Sequence, residues 1–314
     1  MARPRFPASI IDFMDRFGSD QACYEFLRDS RYPDGFTCRG CSGRKAYDRG
    51  DRWGVECAKC GLITSVKAGT VMDHSKVPMR SWMLAAWLMV TSMRGVSALE
   101  IQRQLGLGSY RAAFGLLHKL RQAMVAPERT KLHGAVEVDE FFFGAHGDPD
   151  RVVVVGAVEE RDRGPARCRF RVITDANAEL LLEFIRDTVE LGSTVVTDGA
   201  TMYKGLKGYR HEVQVAGKGY EPGEVLPYFH VAVGNLRALL LGTYHGRPEP
   251  QHLQAYLDEF AFRYNRRHNL QAAFQTLLGL APRVGVHTYA TIVGRTAHRR
   301  QPRRPGKRAA VIHP

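Results

Sequence analysis

The chain lacks any apolar run approaching the ~20 residues that a membrane-spanning helix needs. Its opening stretch, MARPRFPASIIDFMDRFGSD, lacks the continuous apolar core and small-residue cleavage site of a secretory signal. A cytoplasmic protein is the expectation. Negative charge is also scarce: 32 Asp and Glu against 45 Lys and Arg leave a formal balance of +13. An acid-poor surface of this kind suits a polyanionic partner, through phosphate contacts and counterion release. Cysteine is sparse, at six in 314 residues, and in a chain with no export signal paired cysteines suggest metal before disulfides. Apolar residues are not scarce. At 44% they support packed cores and exclude a chain disordered throughout. The length favours two or three domains.

Four of the six cysteines form two CxxC pairs, Cys38-Arg-Gly-Cys41 and Cys57-Ala-Lys-Cys60, with 15 residues between them. Each two-residue spacer lets a pair of thiolates turn toward one ion. Two such turns close a tetrahedral S4 site with no open position, the signature of a structural zinc ribbon. Arg39, Arg44, Lys45, Arg52 and Lys59 crowd this stretch, with Trp53 among them. They could touch nucleic acid or be idle. Cys23 and Cys168 have no paired partner and read as small buried residues.

Ahead of the ribbon, Ile10, Ile11, Phe13, Met14 and Phe17 fall on roughly one helical side, and a second short helix follows. The run RSWMLAAWLMVTSM at 80–93 is apolar nearly all round, which predicts a buried helix whose methionines are packing residues. Residues 97–124 read as helix, turn, helix. Ser97 can cap the first helix with Glu100 in the reciprocal capping-box position, and Gly106-Leu-Gly-Ser109 is the turn. Ala113, Leu116, Leu117, Leu120 and Met124 give the second helix an apolar stripe. In a helix-turn-helix that helix would present its N-terminal residues Ser109, Tyr110 and Arg111 to the bases. A plain helical hairpin has the same pattern.

From residue 131 the composition changes. VEVDEFFFG, RVVVVGAVEE, ARCRFRVITD, STVVTDG and HEVQVAG are strand-like, interrupted by the amphipathic AELLLEFIRDTV and followed by helical runs near 230–241 and 250–264. This is a mixed α/β order. On an alternating strand Asp139 shares a face with Glu137 and Phe141, while Glu140 shares the other with Val136 and Val138. Asp198 ends a β-branched run just before Gly199. Two strand acids of this kind could hold divalent cations through oxygen. Each alone also reads as a strand cap or turn residue.

Taken together, the zinc ribbon, AGTVMDHSKVP, the Trp-bearing helix, the helix-turn-helix, VEVDEFFFG, VVTDGATMY and HVAVGNLRALLLGTYHG…HLQAYLDEFAFRYNRR resemble one family. It is that of the bacterial insertion-sequence transposases of ISXO type, with a zinc-ribbon N-terminus and an RNase H-like catalytic domain. The resemblance runs over roughly residues 10–280. It implies an N-terminal helix and ribbon unit at 1–70, a helix-turn-helix segment at 71–128, an RNase H-like core at 129–285 and a basic tail at 286–314 that could contact DNA. It implies a catalytic triad of Asp139, Asp198 and His230, the last placed seven residues before Arg237. Arg237 joins Ser109, Tyr110 and Arg111 as a DNA-contact candidate. Glu usually fills the third position, so the chain reads as a DDH variant, and Glu259 is the competing acid.

The implied cofactors are a structural Zn2+ and catalytic Mg2+ or Mn2+ held by Asp139, Asp198 and His230. The implied partners are double-stranded DNA, as terminal inverted repeats and target, and further copies of the chain assembled on it. The implied reaction is strand cleavage and strand transfer by a two-metal mechanism. Two alternatives share these features. One is a catalytically inactive zinc-ribbon and helix-turn-helix regulator, and the other is an RNase H-like nuclease without strand transfer.

Overall fold

A computed structural model of the chain describes residues 7–125, 129–144, 151–162, 164–218, 224–244, 246 and 249–280. The basic tail expected at 286–314 lies outside the described residues.

The N-terminal third is built from short capped helices. α1 (Ile10–Arg16) starts at Ser9 with a complete capping box to Asp12, and α2 (Asp20–Arg31) starts at Ser19, whose hydroxyl accepts from the Ala22 N–H. Phe13 and Phe17 are buried as the periodicity requires, but Ile10 and Ile11 are exposed, so the apolar side is narrower than its sequence pattern. The strands β1 (Ala46–Arg49), β2 (Gly54–Cys57) and β3 (Ile63–Ser65) form an antiparallel sheet. Tyr24 fastens this sheet to α2. Its hydroxyl lies 2.7 Å from an Asp48 carboxylate oxygen and 2.8 Å from the Gly54 carbonyl. Trp53 packs beside Tyr24, ring centroids 5.8 Å apart, so it serves the core and not the basic decoration of the ribbon.

α3 (Met79–Thr91) is buried around most of its circumference, including Trp82, Trp87, Met79, Met83 and Met89. Met93 lies past its end and is fully out in solvent at 97% exposure, unlike the methionines before it. α4 (Ala98–Gln104) and α5 (Tyr110–Ala123) follow as two helices joined by a turn, the pattern that a helix-turn-helix and a plain hairpin share. Ser97 caps α4 by accepting the Glu100 N–H at 3.1 Å. The Glu100 carboxylate bonds Gln104 instead of reaching back, so only half of the capping box forms. All five residues of the α5 stripe are buried.

The second sheet orders its strands β6-β5-β4-β7-β8: β4 (Ala135–Phe143), β5 (Val152–Arg161), β6 (Gly164–Ile173), β7 (Thr194–Thr197) and β8 (Arg210–Val213). The β6-β5-β4 half is an antiparallel meander, and β7 and β8 add in parallel to β4. α6 (Ala178–Thr188) covers one face with Val136, Val138, Val155 and Ala157. α7 (Pro227–Tyr244) and α8 (Pro250–Tyr264) cover the other with Phe141, Val154 and Phe170. This five-stranded mixed sheet flanked by helices is consistent with an RNase H-like core.

α9 (Leu270–Leu280) leaves this core. Its Phe274 and Leu277 are buried with Phe13, Phe17 and the α3 residues, so α9 completes the N-terminal hydrophobic core. Cys23 and Cys168 are both wholly buried, as expected of isolated cysteines.

The seam between α5 and α8 holds two buried histidines, His118 and His252, with ring centroids 4.9 Å apart. The Nε2 of His118 has no hydrogen-bond partner. Burial pushes His118 down to about 2, and the Arg121 and His252 charges add to the effect. A histidine neutral in the fold but free to protonate when unfolded destabilises the fold as pH drops below its unfolded pKa of ~6.5. Between pH 7 and pH 5 this one group removes about 2 kcal/mol of stability. Urea unfolding of wild type and His118→Phe at the two pH values checks this. The wild type should lose about 2 kcal/mol more than the variant, and equal losses would remove His118 from the account.

Candidate functional site

The four ribbon cysteines converge. Their sulfurs all lie within 4.8 Å of one another, with Cys38–Cys60 and Cys41–Cys57 both at 3.6 Å. A Zn–S bond of ~2.3 Å sets tetrahedral sulfurs ~3.8 Å apart, so the cage fits zinc with no ligand to spare. The Gly40 N–H points at the Cys38 sulfur at 3.4 Å. The knuckle N–H groups of Gly40 and Cys41 bring the Cys38 thiol down to about 6, toward the thiolate that a metal needs. Purified protein should carry about one zinc per chain, and Cys57→Ser should lose it together with ribbon structure, because ligation and local folding are coupled. Metal analysis with circular dichroism checks this, and a metal-free wild type that keeps its ribbon would contradict it.

Asp139 lies in the middle of β4. The strand alternates as expected: Val136 and Val138 join the α6 core, and Phe141 joins the α7–α8 core. Glu140, on the α6 side, accepts a 2.7 Å hydrogen bond from the Tyr203 hydroxyl. β4 and β7 run parallel with Glu137 opposite Val196. Asp139 follows Glu137 by two residues, Asp198 comes directly after the last residue of β7, and the Asp198 charge acts on the Asp139 carboxyl. Gly199, at φ +93°, turns the chain away immediately after Asp198. Burial pushes the Asp139 carboxyl up to about 7, against the Glu140 N–H that it accepts, and the charges of Glu140 and Asp198 add to the rise. Two acids whose charges act on one another fit a site for a divalent cation.

His230 is the fourth residue of α7 and is exposed. The preceding residue locates it. The Phe229 ring packs on Gly156, the cross-strand partner of Asp139, where a Cβ would come within 2.8 Å of it. Seven residues further along α7, the Arg237 guanidinium stands 5.9 Å over the Phe141 ring, two residues beyond Asp139 on the same strand. α7 therefore runs along β4 past Asp139, and His230, Gly234 and Arg237 form one exposed stripe on it.

Glu259 is elsewhere. It is wholly buried and bonded to Arg121 Nε at 2.7 Å and to the Tyr244 hydroxyl at 3.1 Å. Tyr244 ends α7, so Glu259 sits ~22 Å along that helix from Phe229 at 1.5 Å per residue. It holds α8 to α5 and α7 and has no access to the aspartates. Arg121, which the sequence reading passed over, also stacks on Tyr256 at 4.1 Å. Its signal was available: a charged residue one turn after Leu117, on the buried stripe of α5. Glu137 was noticed only as a neighbour of Asp139. It is 4% exposed, and burial pushes its carboxyl up to about 7 despite the N–H groups of Phe229 and Tyr228 that it accepts.

Ser109, Tyr110 and Arg111 are exposed together at the start of α5. Ser109 spends its hydroxyl on the helix cap, accepting the Ala112 N–H at 3.2 Å. The Tyr110 ring leans on Phe114, centroids 5.9 Å apart.

Known proteins share these parts. The transposase zinc-ribbon domain matches residues 18–62, and the ISXO2-like transposase domain matches residues 131–265. The second match begins just before β4 and ends at the close of α8, so it takes in Asp139, Asp198 and His230. α3, α4 and α5 lie between the two matches. An uncharacterized protein in transposable element ISH50 of Halobacterium salinarum is 26% identical over 132 residues, 41% of this chain. The alignment spans 44% of that relative's own length. Ribbon, fold and matches agree: the chain carries an ISXO2-like transposase domain behind a transposase zinc ribbon and is a distant homologue of an insertion-element protein.

Proposed function

We propose that this protein is a transposase that cuts DNA at the terminal inverted repeats of an insertion sequence and joins the ends to target DNA. The observation that supports the reading is the Asp198 charge acting on Asp139, on neighbouring parallel strands of the core sheet. Asp139, Asp198 and His230 would hold the catalytic Mg2+ or Mn2+. Bound there, the ions supply Lewis-acid activation of the attacking oxygen and stabilisation of the leaving one. The carboxylates would hold that charge. The His230 imidazole offers a ring nitrogen as the third ligand, and Mn2+ accepts nitrogen more readily than Mg2+. Arg237, on the same stripe of α7, is suited to a backbone phosphate.

Recognition would fall to α5, entering the major groove with Tyr110 and Arg111 leading. The cytoplasm is the setting for such a substrate. Two ends must be brought together, so the reaction belongs to a homo-oligomer assembled on DNA. Arg111→Ala should weaken binding to terminal-repeat DNA by roughly 1–3 kcal/mol if it reads a base, with cleavage at saturating protein little changed. Gel-shift titration measures this; wild-type affinity in the variant would remove α5 as the reading helix. The reading as a whole is tested by incubating the protein with DNA carrying the inverted repeats that flank its gene, in Mg2+ or Mn2+. Nicks at the repeat ends support it, and intact DNA bound by active protein would favour a regulator.

A further inference from the structure

Glu137 is a buried carboxylate that the proposed chemistry leaves without a task. It stands two residues before Asp139, on the same face of β4, and its Oε2 accepts the Phe229 N–H at 2.6 Å. The Tyr228 N–H also points to it. Phe229 and Tyr228 belong to the first turn of α7, where N–H groups have no partner within the helix. Leu226, the residue before the helix, has φ +46° and no polar side chain with which to cap it. Glu137 supplies a cap from 92 residues away. A carboxylate from the strand of Asp139 thus fixes the turn that carries His230. The seat of Phe229 on Gly156 fixes the same turn from the neighbouring strand.

We propose that Glu137 is a positioning residue: by capping α7 from the strand of Asp139, it sets where the His230 ring stands relative to the two aspartates. The inference rests on His230 being the third residue of the site. It explains why an acid tolerates this buried position. A serine or threonine at 137 could not span from strand to helix, and an apolar residue would leave the first-turn donors buried and unpaired.

The test uses Glu137→Ala, Glu137→Gln, His230→Ala and the Glu137→Ala/His230→Ala pair in the full chain. Three readouts are taken: amide exchange at Phe229 in metal-free protein, Mn2+ affinity and DNA cleavage. Glu137→Ala should speed Phe229 exchange at least tenfold and lower Mn2+ affinity and cleavage about tenfold each. Glu137→Gln keeps an acceptor oxygen for the Phe229 N–H and should stay within about threefold of wild type in all three. With His230 already removed, Glu137→Ala should cost no further Mn2+ affinity. Should the alanine variant fail to fold, Glu137→Asp, shorter by one methylene, carries the same cycle with smaller losses. Equal losses of Mn2+ affinity with and without His230, or unchanged affinity in Glu137→Ala, would overturn the proposal. If His230→Ala itself binds Mn2+ and cleaves as wild type does, the assignment of His230 fails, and the positioning role falls with it. In that case the Phe229 exchange rates still report whether the cap exists.

Discussion

Asp139→Asn and Asp198→Asn should each reduce metal-dependent cleavage by at least ~1000-fold while leaving DNA binding close to wild type. Charge stabilisation by a bound metal contributes several kcal/mol to a transition state, and each ~1.4 kcal/mol is a factor of ten in rate. The amide is nearly isosteric with the carboxylate but carries no charge, so the strands remain and the metal is lost. Glu140→Gln is the comparison. Glu140 neighbours Asp139 in sequence but faces α6 and bonds Tyr203, so its loss should change cleavage only a few-fold. Single-turnover cleavage of labelled repeat-end DNA makes the measurement. Wild-type rates in either aspartate variant would remove that residue from the site.

Arg121→Ala should destabilise the folded protein by about 3–5 kcal/mol, the cost typical of leaving one member of a buried ion pair alone. Arg121 and Glu259 are both almost fully shielded from water. Arg121 also donates to the Tyr244 hydroxyl at 3.3 Å, and Arg263 approaches the other Glu259 oxygen at 3.8 Å. Removing the guanidinium leaves Glu259 with a tyrosine and a distant cation, in a seam that cannot admit bulk water. The double variant Arg121→Met/Glu259→Leu should recover most of the loss, since apolar residues of similar size often replace a buried pair at little cost. Urea unfolding of the three variants checks this. A loss below about 1 kcal/mol in Arg121→Ala would mean that the seam relaxes or hydrates. The same pair ties α5 to the C-terminal end of α7, whose other end carries His230. Arg121→Ala should therefore also impair repeat binding and cleavage together, unlike Arg111→Ala.

Features set by local spacing were legible in the sequence. The two CxxC turns, the alternation around Asp139 and the stripe on α5 each depend on residues within a few positions of one another. The structure places them as the pattern requires. What stayed hidden depends on contacts across the chain. Arg121 and Glu259 are 138 residues apart, and nothing local says that an arginine on an apolar stripe will meet a glutamate on another helix. Glu137 caps a helix 92 residues away for the same reason. α9 was passed over because its partners, Phe13 and Phe17, lie at the opposite end of the chain. Its packing joins the two ends into one core. The raised pKa of Asp139 is a further example, because it comes from burial between strands and from Asp198, not from the residues beside it alone.

The central claim is that one site both cuts DNA and joins it. It is tested most directly by supplying pre-cut repeat ends bearing a free 3′-hydroxyl, together with a circular target and Mn2+, and measuring joined product. The account predicts joined molecules with wild type, none with Asp139→Asn, and a strong loss with His230→Ala that His230→Glu partly restores. Efficient cleavage of intact repeats without any joining of pre-cut ends would contradict it and leave a nuclease built on the same sheet.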